Sequence, residues 1–166
     1  MARTRSGHGR FLDIYLNDHL AGSTAGVVLA RGLAAAGGSS ADGDVLRELA
    51  AEIARDRVAL QEIMASLEVR GRAYKVAGAW LAGKARRLKL NGTIGTRSPL
   101  TSLIELEMLR IGVAGKAAGW DALRAIAAHE PRLHAGQLDE LADRARDQAG
   151  KVEDLRVRAA KQALRR

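Results

Sequence analysis

The chain has 166 residues, with 27 Lys plus Arg against 19 Asp plus Glu and a formal net charge of +8. It contains no cysteine, which excludes disulfides, thiolate metal sites and cysteine nucleophiles. Hydrophobic residues make up 47% and aromatics only 3%, so the core of what reads as a single domain (1–166) must be built from Leu, Ala, Ile and Val.

The first helix is expected over 10–36, ending at Gly37-Gly38. Its Leu12, Leu16, His19, Ser23, Gly26, Ala30 and Leu33 recur at alternating spacings of four and three, the seam of a helix facing a partner. The glycine- and serine-rich stretch that follows reads as a turn in which Asp42 can cap the next helix. That second helix, over 42–70, repeats the pattern with Leu46, Leu49, Ile53, Asp56, Leu60, Ile63 and Leu67. A long connection then carries a helical pattern over 73–90, with Val76, Ala77, Trp80, Leu81 and Leu88 on one broad face, before Asn91-Gly92 breaks it. The third long helix, over 98–129, opens with Ser98 as N-cap and Pro99 in the first turn, where a missing N–H leaves no bond unmade. It carries Leu100, Ile104, Glu107 and Ile111 on one line with Leu103, Leu106, Val113 and Trp120 beside it, and stops before Pro131. The fourth, over 137–164, has Leu138, Leu141, Ala145, Gln148, Val152, Leu155 and Ala159. No alternating β-branched or aromatic run signals a strand. The fold class is therefore all-α, and four seams describe a four-helix bundle.

No unbroken run of apolar residues is long enough to span a bilayer, and the basic start MARTRSGHGRFL lacks the apolar stretch of a secretory signal. A cytoplasmic protein without a transmembrane segment is the expectation.

Short first and last connections with one long one between the second and third helices resemble the ferritin-like four-helix bundles. In the di-iron members of that superfamily, inward carboxylates and Glu-x-x-His pairs hold the metal. No Glu-x-x-His occurs here: the corresponding stretches read Glu52-Ile53-Ala54-Arg55 and Gln148-Ala149-Gly150-Lys151, with cations in place of imidazoles. The resemblance therefore implies a bundle without cofactor, in which Tyr15, His19, Glu52, Asp56, Glu107 and Gln148 form a core polar network, since buried polar groups must find partners. The alternative is a divergent metal-carboxylate protein holding iron or manganese on His19, Glu52, Asp56 and Glu107 for redox work or storage.

Charge is distributed unevenly. Between Glu68 and Glu105 there is no acid, and the interval holds Arg70, Arg72, Lys75, Lys84, Arg86, Arg87, Lys89 and Arg97. Elsewhere the acids and bases balance. This connection could face its cations to water, bind nucleic acid through a salt-dependent phosphate interaction, or lie on an anionic membrane surface. Near-matches to catalytic motifs fail: Gly78 to Ala85 resembles a P-loop but lacks the final Ser or Thr, and Ser23 within Gly22 to Gly26 is mid-helix rather than on a nucleophile elbow. His129 and His134 read as residues of a solvated loop. The expected role is non-enzymatic: association with itself or a protein partner, with Trp120 and the Gly112, Gly115 and Gly119 surface as candidate contacts.

Overall fold

A computed structural model describes residues 7–71 and 98–165. They form four long α-helices: α1 Gly7–Gly37, α2 Ala41–Ser66, α3 Pro99–Ile126 and α4 Ala135–Leu164, with one 3-10 turn at Ala127–His129 between the last two. No strand occurs among the described residues.

Local chemistry fixes the ends. Gly38 takes the left-handed backbone that lets the chain leave α1, at φ 56°. The cap of α2 is Ser40 rather than Asp42: its hydroxyl accepts from the Gly43 N–H at 3.1 Å and donates to the Gly37 carbonyl at 2.7 Å. Gly43 itself is required by contact, since a Cβ there would lie 2.4 Å from the Gly38 carbonyl oxygen. Ser98 caps α3, with Pro99 in the first turn. The second helix ends at Ser66, short of residue 70, because Glu68 turns to φ 58° and redirects the chain. The helix expected over 73–90 lies outside the described residues.

Side-chain pairings give the directions. Thr24 meets Arg57 across α1/α2, and Gly26 faces Ile53. Arg110 pairs with Glu153 and Arg124 with Asp139 across α3/α4. His19 lies against Gly119 while Leu33 groups with Leu106, so α1 and α3 also run antiparallel. Asp42 reaches Arg158 and Glu52 reaches Lys151, closing the ring between α2 and α4. Every neighbour is antiparallel, which makes α2 and α3 parallel.

The core divides into two apolar clusters. One holds Leu16, Leu20, Leu60, Trp120, Leu123, Leu138 and Ala145; the other holds Val27, Leu33, Ile53, Leu109, Val113 and Val152. Each helix crosses from one cluster to the other over a single turn, and the residues in that turn include Ser23, Asp56, Lys116 and Gln148. A polar layer therefore separates two dry halves.

The first helix bears on the expectation that no segment spans a membrane. Over Gly9–Gly37 the first helix is long and apolar enough to cross one by length and composition, although it has no unbroken apolar run, and 33% of its most apolar window is buried within the bundle. Leucine, valine and alanine raise the average while Asp13, Asp18 and His19 interrupt the apolar run.

Candidate functional site: a groove between α1 and α3

The helices α1 and α3 stand apart along much of their length. An open groove of about 680 Å³ runs between them, walled by α1 from Tyr15 to Gly32 and by α3 from Glu105 to Leu123, and floored by Ile53, Asp56 and Leu60 of α2. The seventeen helical rises from Tyr15 to Gly32 make it about 25 Å long. The lining is mostly aliphatic, and its lips include Val28 at 53% exposure and Ile111 at 72%.

Glycine opens the groove. Gly22, Gly26 and Gly32 line it from α1, and Gly112, Gly115 and Gly119 from α3. A helix-interior glycine is less favourable than alanine by about 1 kcal/mol. At Gly119 the reason is internal, because a Cβ there would come within 2.8 Å of the His19 ring. At Gly22, Gly32, Gly112 and Gly115 a Cβ would meet nothing within 4 Å among the described residues. Packing among the described residues does not demand glycine at these four positions.

The polar layer reaches the groove through Asp56 on its floor and Lys116 on its α3 wall. Asp56 is 1% exposed and Gln148 0%. Arg144 donates to Asp56 Oδ1 through Nε at 2.7 Å and Nη2 at 2.6 Å, and Gln148 Nε2 donates to Oδ2 at 3.1 Å. Lys116 donates to Asp56 Oδ2 and to Gln148 Oε1. Burial pushes the Lys116 ammonium below its ordinary range, against the pull of Asp56. On the neighbouring turn of α1, the His19 ring lies 4.4 Å from that of Tyr15, and burial holds its pKa below the usual histidine value despite Asp18. Trp120 is 3% exposed, and its Nε1–H is a buried donor with no acceptor among the described residues.

The residues singled out from the sequence are distributed as follows. Asp56 and Gln148 meet directly, but their partners are Lys116 and Arg144, which the sequence reading did not include. Tyr15 and His19 touch each other and line the groove, one turn away from the layer. Glu52 pairs with Lys151 at 3.3 Å on the α2/α4 side. Glu107, expected on an inner line of α3, lies half exposed and 3.7 Å from Arg156. The inner face of α3 follows Leu103, Leu106, Leu109, Val113 and Trp120 instead, which turns Glu107 outward. In the set of cations assigned to anion binding, Arg70 is exposed and its carbonyl accepts from Asn17 at 3.2 Å. Arg72, Lys75, Lys84, Arg86, Arg87, Lys89 and Arg97 lie outside the described residues. His129 and His134 are exposed.

The donor set does not fit iron or manganese. Both oxygens of Asp56 already accept from two cationic side chains, so a metal ion would enter against positive charge. Glu52 is held by Lys151 and Glu107 points away. Among the described residues no group of three or more His, Asp or Glu is placed to hold a metal.

No family model, curated protein or solved structure matches the chain.

Proposed function

We propose that the protein is a non-enzymatic, ferritin-like bundle that works by association, and that the α1/α3 groove is where it takes an apolar partner. The observation that carries this reading is the line of groove glycines Gly22, Gly32, Gly112 and Gly115, whose Cβ positions are open among the described residues. Glycines that weaken two helices without an internal packing reason favour close approach by something other than the bundle's own side chains. A groove of this size and lining falls within the ~300–1,000 Å³ range of ligand pockets, which are mainly apolar with a few placed polar groups. The up-down-down-up helix order and single long connection support the ferritin-like assignment. The polar layer then sets helix register, as buried polar groups do in coiled coils.

A cytoplasmic setting follows from treating α1 as a bundle helix, with its apolar residues divided between core and groove. The excess cations between Glu68 and Glu105 support a second contact, with an anionic surface. Retention on heparin or anionic vesicles that disappears with salt would support that contact, and no retention at low salt would remove it.

The groove reading is tested with the neutral dye Nile red. Its fluorescence should rise on the wild-type protein and fall back in Gly115→Leu, where the added side chain enters open space. Equal enhancement by the two proteins would contradict it.

A further inference from the structure

Lys116 is set in an unusual place for an amine. It is the one lysine on the groove lining among the described residues, and 12% of its side chain is exposed. Its neighbour on α3 is Gly115, and Gly112 and Gly119 stand one turn to either side. Those positions put no side chain between its stem and the groove.

The amine also has a proton acceptor beside it. Its ammonium donates to Asp56 Oδ2 and to Gln148 Oε1. Asp56 is already paired, since Arg144 donates to Oδ1 through Nε at 2.7 Å and Nη2 at 2.6 Å. The layer therefore holds an Asp56–Arg144 ion pair and one further cation, and burial disfavours that cation. Desolvation lowers the Lys116 pKa, outweighing Asp56 and Glu52, and Arg144 acts in the same direction as burial. A desolvated lysine in a cleft, with a carboxylate in reach, is the setting of an amine nucleophile.

The rest of the lining sets the ligand. Asp18, Asp56 and Glu105 outnumber the single cation, which disfavours an anionic compound. Leu29, Leu109, Ile111 and Val113 suit a hydrocarbon chain, and about 16 Å of α3 wall separates Lys116 from Glu105. A neutral electrophile with an apolar tail meets both conditions.

We propose that the groove holds an apolar aldehyde covalently, as an imine on Lys116 Nζ, with the tail along the glycine-lined wall toward Gly112. This inference rests on the groove reading above and adds the class of ligand and its attachment. Starting from the ammonium, Asp56 Oδ2 takes one proton and the freed nitrogen lone pair attacks the carbonyl carbon. A C–N bond forms and the C–O bonds break. The oxygen leaves as water with two of the three nitrogen hydrogens, one of them returned by Asp56. The protonated imine keeps the third hydrogen and the positive charge beside Asp56. The adduct is stoichiometric, in keeping with a non-enzymatic protein.

The test incubates the full chain with decanal at neutral pH, reduces the imine with borohydride and maps it by peptide mass spectrometry. Capture in the groove concentrates the aldehyde at Nζ, so Lys116 should be labelled about tenfold or more faster than the exposed Lys161. Excess decanol should suppress labelling at Lys116 and leave Lys161 unchanged, and Gly115→Leu should do the same. Lys116→Arg keeps the charge beside Asp56, so it should still enhance Nile red fluorescence while losing the decanol-sensitive adduct. Equal labelling of Lys116 and Lys161, or Lys116 labelling that decanol does not suppress, overturns the imine; Nile red enhancement in the same protein then leaves the groove reading in place. No selective labelling together with no Nile red enhancement overturns both.

Discussion

Replacing both Gly112 and Gly115 with alanine should make the protein more stable. The two residues are exposed in the middle of α3, and a Cβ at either meets nothing within 4 Å among the described residues. Neither substitution creates a clash or a cavity, so the expected effect is the helix-propensity difference of about 1 kcal/mol at each site. The pair should therefore gain about 2 kcal/mol, or about 4–8 °C in Tm for a chain of this size. Thermal and urea unfolding measure this directly, and the urea midpoint should rise at an unchanged slope. Gly119→Ala on the same helix is the control. It carries the same propensity gain, but its Cβ would lie 2.8 Å from the His19 ring, so its stability should fall or stay level. A destabilised Gly112→Ala/Gly115→Ala protein would refute the reasoning, because it would mean that the chain itself fills the space above those glycines.

Three further outcomes follow from the geometry. Gly43→Ala should destabilise by about 1–3 kcal/mol in chemical unfolding, because its Cβ meets backbone that cannot rotate away; an unchanged midpoint would mean the α1–α2 turn is looser than described. Asp56→Ala should cost about 3 kcal/mol, the lower end for breaking a buried ion pair because Arg144 can turn to solvent, and should lower Tm by about 6–12 °C. A loss well under this range would show the polar layer to be solvated. The His19 pKa is lowered from 6.5 in the folded state, so below that pH the unfolded chain binds the extra proton. Stability from this group is complete above pH 6.5 and declines as pH falls toward the folded value, and His19→Gln should flatten that part of a Tm-against-pH curve. An unaltered curve would place the imidazole in water.

The four helices were legible because apolar residues recur at heptad spacing and because Ser98-Pro99 and Gly37-Gly38 mark ends by known backbone chemistry. Asp56 and Gln148 were legible as polar interruptions of otherwise apolar seams. Their cationic partners were not. Lys116 and Arg144 are the residue types that ordinarily face water, and only the meeting of α2, α3 and α4 at one level brings them to Asp56. A signal for Lys116 did exist, since it stands among Gly112, Gly115, Gly119 and Trp120 rather than among charges. Glu107 was misplaced because α3 offers two adjacent apolar lines, and periodicity alone does not decide which one faces the core. The groove was legible only as a surface of small residues. Its width depends on how far α1 stands from α3, which spacing along the chain does not encode.

The central claim is that an apolar ligand lies directly on the exposed backbone of α3. Isotope-filtered nuclear Overhauser spectroscopy on labelled protein with unlabelled Nile red tests it most directly. The account predicts cross-peaks from the dye to the Hα protons of Gly112 and Gly115 and to the side chains of Leu29 and Leu109. Cross-peaks to those glycine protons from the protein's own side chains, with none from the ligand, would contradict it.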